Sequence, residues 1–256
     1  MVAIPLVVLQ IKLPNWRALA MFGWTLIWSM IGILAMIADP RGKLFSFLAR
    51  KCWSPQTLWI GGVSVTVRGD ERIDWSRPYV ICANHQSQID IPLLFAHLPT
   101  GIRFLAKRAL FYIPIFGWML AIARFIPVDR GNSEKARRLI DRSALRMKKG
   151  PSLLVFPEGT RSPDGRVHPF KSGGFILGIK AGVPILPVAI RGTYDLVSKH
   201  HLNSRPGKVE VIIGSPIETD RLDLTARNAI KEQTFRAIVA MHETGLPVLQ
   251  KELERK

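Results

Sequence analysis

The chain has 256 residues, 48% of them apolar and 21% charged, which excludes a disordered polypeptide and allows one good core with a small appended module. Lysine and arginine number 36 against 19 acidic residues, a formal charge of +17, yet mean hydropathy is positive at +0.16. An anionic membrane surface fits both properties, whereas nucleic acid is not an expected partner because no binding motif accompanies the charge. The two cysteines, Cys52 and Cys82, make no disulfide framework and share no metal-ligand spacing, as suits a reducing compartment.

In chain order, an apolar run from Val2 to Ile11 is broken by Pro5. It is followed by an uncharged stretch from Ala18 to Ala38, long enough at 1.5 Å per residue to cross roughly 30 Å of hydrocarbon. Trp16, Trp24 and Trp28 are candidate interfacial anchors. Basic residues flank both ends (Lys12 and Arg17, then Arg41, Lys43, Arg50 and Lys51), so no orientation follows from charge. A single span and a helical hairpin dipping into one leaflet both fit, and a buried helix of a soluble protein is the bland alternative. Residues 1–57 are expected to form this hydrophobic helical module, and residues 58–256 an α/β domain.

From Leu58 onwards short apolar runs alternate with amphipathic segments. Strands are expected at Val63–Arg68, Tyr79–Ala83, Arg103–Ala106, Phe125–Val128, Leu153–Phe156, Ile185–Ile190 and Val209–Ile213. Several are continuous Val/Ile/Leu/Phe runs, as strands covered on both faces require. Helices are expected from Ser133 to Lys149, with Ala136, Leu139, Ile140, Ala144 and Met147 as the apolar stripe; from Ser172, as its cap, to Ala181; and from Thr225 to Met241. This alternation predicts one α/β domain with a largely parallel or mixed sheet flanked by helices.

Two stretches carry chemistry. In Asn84-His85-Gln86-Ser87-Gln88-Ile89-Asp90, a histidine precedes an aspartate by five positions. On one helix such residues lie about 140° apart and do not face together. Pro92 favours a helix that begins near Gln88 or later, leaving His85 in a loop that can fold its imidazole onto Asp90. The carboxylate would then fix the tautomer and support the imidazolium formed on proton abstraction. Asn84 and Ser87 are candidates to hold the loop.

In Phe156-Pro157-Glu158-Gly159-Thr160-Arg161-Ser162, Pro157 and Gly159 permit a sharp turn that presents main-chain amides beside Thr160 and Arg161. A guanidinium grips phosphate bidentately, and Glu158 stands where it can orient Arg161 or meet an acceptor hydroxyl. Lys107, Arg108, Arg130 and Lys171 are further candidate anion ligands. The other histidines show no metal spacing, and no metal is expected. With no G-x-S-x-G elbow, direct attack by an acceptor hydroxyl is favoured over a serine acyl-enzyme.

These motifs occur in an order that resembles the glycerolipid acyltransferases, most closely the bacterial 1-acylglycerol-3-phosphate acyltransferases. Asn84 to Asp90 looks like their His-x4-Asp motif, Phe125-Ile126-Pro127-Val128-Asp129-Arg130 the second, Phe156 to Ser162 the third and Val183-Pro184-Ile185-Leu186-Pro187-Val188 the fourth. Pro127-Val128 departs from the usual Phe-Ile-x-Arg form. The likeness covers residues 63 to 215.

The resemblance implies that His85, oriented by Asp90, deprotonates the free hydroxyl of lysophosphatidic acid. That oxygen attacks the thioester of acyl-CoA or acyl-carrier protein, and phosphatidic acid forms with no bound cofactor. Glu158, Gly159, Thr160 and Arg161, with Lys107 and Arg130, would hold the glycerol phosphate. Apolar residues including the fourth motif would shape the acyl path. It implies a bacterial inner-membrane location with the catalytic domain on the cytoplasmic face. Another acceptor, such as glycerol 3-phosphate or a different lysolipid, or a non-catalytic basic membrane-binding protein, stays open.

Overall fold

The computed structural model describes residues 15–99, 101–128, 140–141, 143–145, 147, 150–197 and 204–248. The run Val2–Ile11, the segment carrying Arg130, and the first half of the helix expected from Ser133 lie outside them.

The first helix, α1 (Trp16–Ala38), begins where the Asn15 side chain accepts from the Ala18 amide. A second helical stretch runs without a break through α2 (Lys43–Leu48), a π-helical segment at Ala49–Trp53, and α3 (Ser54–Gly61). The π segment ends two residues before Pro55, whose nitrogen carries no hydrogen to donate into a regular α-helical ladder. Helix α3 runs across position 57. Phe45, Ala49 and Leu58 from this stretch join the same apolar cluster as the sheet.

Among the described residues, seven strands form one sheet: β1 (Val63–Arg68), β2 (Val80–Ala83), β3 (Ile102–Lys107), β4 (Ile126–Val128), β5 (Ser152–Val155), β6 (Ile185–Arg191) and β7 (Gly207–Ile213). Their spatial order is β1-β7-β6-β2-β5-β3-β4. Neighbours run parallel except β6 and β7, so the sheet is mixed. Each expected strand is present within one or two residues of its expected ends.

Side chains alternate between the two faces and so feed two clusters. Ile81, Ala83, Leu154 and Ile190 point to the face covered by the N-terminal helices, α4 (Asp90–His97) and α5 (Phe116–Ile122). Val80, Cys82, Val155 and Ile185 point to the other face, which is covered by α6 (Gly173–Ala181) and α8 (Arg227–Thr244). A short α7 (Thr193–Leu196) follows β6.

Two helix starts differ from expectation. Ser172 makes no capping side-chain bond at α6. The helix expected from Thr225 begins at Arg227, after a 3-10 turn at Leu224–Ala226 whose first amides are capped by Asp223, its carboxylate accepting from Thr225 N. Cys82 is fully buried in β2, and burial raises its thiol pKa beyond any nucleophilic range.

The topology places the chemistry. β2 lies between β5 and β6, all parallel, so their carboxyl ends open on one edge. The His85 loop leaves β2 there, the Phe156–Ser162 turn leaves β5, and Lys107 closes β3. Crevices at the carboxyl ends of parallel strands are where open α/β sheets bind ligands.

Candidate active site

The loop after β2 is held from three sides. Asn84, fully buried, prolongs the sheet with its side chain: Oδ1 accepts from Ile190 N at 2.7 Å and Nδ2 donates to Ile190 O at 2.9 Å. The Ser87 hydroxyl donates to the Val197 carbonyl at 2.7 Å. Asp90 is the first residue of α4, and its Oδ2 accepts from Gln86 N (2.7 Å), Ser87 N (2.8 Å) and His85 Nδ1 (2.8 Å).

One carboxylate oxygen thus shapes the loop and orients the imidazole. Because a carboxylate only accepts, the His85 proton sits on Nδ1 and Nε2 is free to take one. Asp90 is fully buried, whereas the His85 side chain is 16% exposed. The buried end anchors the dyad and the ring meets the cavity.

The turn after β5 supports the same imidazole. The Phe156 ring lies flat beneath His85, with centroids 3.9 Å apart and planes within 17°. Ser162 N donates to His85 O at 2.7 Å. Glu158 is buried and does not orient Arg161 through a hydrogen bond. Its Oε1 accepts from His85 N at 2.9 Å and its Oε2 from His168 N at 3.3 Å. Burial pushes the Glu158 carboxyl up to about 7, partly offset by those two amides.

Gly159 has φ +76°, the left-handed conformation that glycine tolerates at little cost. A side chain there would meet Lys171 Nζ at 3.1 Å, so the Lys171 ammonium is draped over the turn. Arg161 is half-buried, which lowers its pKa, while the Asp90 charge opposes the shift. No carboxylate among the described residues forms an ion pair with Arg161 or Lys171, leaving two cations available to an anionic ligand.

His85, its Phe156 platform and the Gly159–Arg161 turn open on one cavity of about 1340 Å³. Its polar end is lined by His85, Gly159, Thr160, Arg161, Lys171 and Lys107. The rest is apolar and reaches the inner face of α1, where Phe22, Leu26, Ser29 and Gly32 line it. Among the described residues no cluster of histidine, cysteine and carboxylate side chains could hold a metal. A free imidazole nitrogen at the junction of a cationic mouth and a long apolar chamber suits proton abstraction from an amphiphile with an anionic head.

A family model described as Acyltransferase matches residues 64–191. The chain is 33% identical to the 1-acyl-sn-glycerol-3-phosphate acyltransferase of Cocos nucifera over 93% of its own length and 76% of that protein's. It is 32% identical to the enzyme of the same name from Pseudomonas aeruginosa, over 85% of this chain and 84% of that one. The chain belongs to the acyltransferase family.

A solved member, the 1-acyl-sn-glycerophosphate (LPA) acyltransferase PlsC of Thermotoga maritima, superposes with a TM-score of 0.72 and 27% identity, covering 88% of this chain and 94% of that one. The mixed sheet and its flanking helices are therefore the acyltransferase fold.

Of the residues expected from sequence, the structure brings together His85, Asp90, Asn84, Ser87, Glu158, Gly159, Thr160, Arg161 and Lys107. Arg130 lies outside the described residues. The fourth motif differs from expectation: Val183 to Val188 leads into and builds β6 in the buried sheet and does not line the cavity. Sequence reasoning missed Phe156 as the platform for His85, because a strand-end phenylalanine reads as core. It also missed the contribution of α1 to the cavity, because the same apolar pattern serves lipid and ligand alike.

Proposed function

We propose that this acyltransferase moves a fatty acyl group from acyl-CoA or acyl-carrier protein to the sn-2 hydroxyl of 1-acylglycerol 3-phosphate, forming phosphatidic acid. The observation that carries this reading is the free Nε2 of His85, oriented by Asp90, at the junction of the cationic mouth and the apolar chamber. The relatives named for this activity support the choice of acceptor.

Arg161 and Lys171, with Lys107, bind the phosphate and leave the glycerol hydroxyl facing His85. His85 Nε2 takes the hydroxyl proton as the oxygen attacks the thioester carbonyl carbon. The tetrahedral intermediate collapses by breaking the carbon–sulfur bond. The imidazolium, stabilised by Asp90, returns its proton to the departing thiolate. Every atom in this sequence comes from the two substrates and the imidazole, so the reading calls for no cofactor.

Residues 1–57 act as the membrane module in this reading and residues 58–256 as the acyltransferase domain. Helix α1 is long and apolar enough to cross a bilayer. Yet it buries Ser29, Gly32, Ala35 and Met36 against the protein and exposes Ile27, Met30, Leu34 and Ile37 on another side. A helix packed along the domain in this way supports seating in one leaflet, on the cytoplasmic face where acyl thioesters are available.

The test is thiol release from palmitoyl-CoA or oleoyl-CoA by detergent-solubilised protein across a panel of acceptors, with acyl-carrier-protein donors as a second arm. Release should require lysophosphatidic acid and fall by roughly 10² to 10⁴ in His85→Ala, the usual worth of a general base. Release with a different acceptor alone would change the substrate. A folded His85→Ala protein at wild-type rate would remove His85 from the role of base.

A further inference from the structure

The residue after the candidate base leads away from the cavity to the far end of the chain. Gln86 Nε2 donates to the Gly165 carbonyl at 2.5 Å and faces Nε2 of His242, on α8, at 2.8 Å. A carbonyl only accepts, so the amide nitrogen is the atom turned this way and its second hydrogen points at His242. His242 Nε2 must then accept, which requires a neutral ring with its proton on Nδ1.

The surroundings favour that form. Burial and the Arg191 guanidinium on β6 lower the His242 pKa below its ordinary 6.5, with Glu243 on α8 opposing. Arg191 is itself paired with Glu210 of β7 at 2.7 Å.

Gln86 is 2% exposed and its Oε1 is buried without a hydrogen-bond partner, so no solvent-facing alternative competes for this amide. On its main-chain side, Gln86 N donates to the same Asp90 oxygen that accepts from His85 Nδ1. Neither Gln86 nor His242 lines the cavity. Two hydrogen bonds therefore connect α8 to the Asp90–His85 pair without touching substrate.

We propose that His242 is a positioning residue: while neutral, it fixes the Gln86 amide against Gly165 and thereby sets the orientation of the Asp90–His85 pair. The inference rests on His85 being the base. Helix α8 is then part of the active-site architecture, and the loop holding Gly165 is tied to the same amide. Protonating His242 would set two donors against each other, and Gln86 could satisfy the ring only by releasing Gly165.

The test compares His242→Ala, His242→Gln, Gln86→Leu and the Gln86→Leu/His242→Ala double variant in the full-length solubilised protein. Each of the first, third and double variants should lose roughly tenfold in kcat, with the KM values of donor and acceptor changed by less than about twofold. The double variant should be no worse than the poorer single. His242→Gln retains an acceptor at this position and should recover most of the loss.

A second readout needs no turnover. The His85 Cε1–H signal in histidine-labelled protein is displaced by the Phe156 ring stacked on it, so it reports small movements of the imidazole. It should move in His242→Ala and in Gln86→Leu and return in His242→Gln. An unmoved signal in His242→Ala, or losses that multiply in the double variant, would overturn the proposal. If the wild type acylates no acceptor, the proposed reaction fails, and the His85 signal alone decides whether His242 positions the imidazole.

Discussion

At the scale of single residues, one carboxylate oxygen and one aromatic ring prepare the imidazole. Asp90 Oδ2 and the Phe156 face leave His85 little freedom, the preorganisation from which the proposed base would gain. Arg161 has a separable task. Arg161→Ala should raise the acceptor KM by roughly 10 to 100-fold with a smaller change in kcat, the scale of a lost charge-assisted hydrogen bond. Unchanged steady-state constants would place the phosphate elsewhere. Glu158 makes stability depend on pH. Its carboxyl titrates near 7 in the folded protein against about 4.5 when free, so between those values the folded state holds a proton that the unfolded state has released. Stability from this group is therefore greatest below about pH 4.5, falls as pH rises through the window, and levels off above 7, a span of roughly 3 kcal/mol. Thermal unfolding of Glu158→Gln across this range should show a flatter profile than the wild type; an identical slope would assign the titration to another group.

At the scale of elements, α1 does two jobs with opposite faces. Gly32 permits its close approach: a Cβ there would lie 3.2 Å from Met119 of α5 and from the Phe45 ring of α2. Because Gly32 also lines the cavity, Gly32→Leu should wedge α1 outward or fill the chamber. Comparing decanoyl, palmitoyl and oleoyl thioesters should then show the longer donors losing rate relative to decanoyl. An unaltered chain-length profile would mean that the acyl chain does not reach α1. Trp24 and Trp28, expected as interfacial anchors, instead pack edge to face at 6.3 Å with buried indole nitrogens, and Trp28 lines the cavity. Trp16 is 66% exposed.

At the scale of the whole molecule, the proposed membrane seating would use an exposed apolar face and a net charge of +17 together. Besides the α1 residues, Phe47 of α2 and Trp118 and Ile122 of α5 are exposed. Apolar insertion is insensitive to salt, while attraction of lysine and arginine to anionic lipid, about 1 kcal/mol per residue at the surface, is screened by it. Sedimentation with phosphatidylglycerol vesicles should exceed that with phosphatidylcholine vesicles, and added salt should reduce the difference. Replacing both Leu34 and Ile37 by glutamate should weaken binding to both vesicle types. Equal binding by that variant would mean that this face does not meet lipid.

Much of this protein was legible in its sequence, because the signals are local. Continuous apolar runs bounded by turn residues located every described strand, and Pro92 placed the start of α4 so that His85 fell in a loop. The four motifs in order determined the family. What the sequence did not contain was which distant segments become neighbours. Glu158 reaches the His85 amide across 73 positions, Asn84 meets Ile190 across 106, and Gln86 meets His242 across 156. Those contacts follow from β2 lying between β5 and β6 and from α8 packing on the sheet, choices made by the summed burial of two apolar faces. The tertiary structure alone therefore decided that Glu158 holds main-chain amides, that Phe156 supports the imidazole, and that the fourth motif is core, since each role depends on what a side chain faces after the sheet has closed over it.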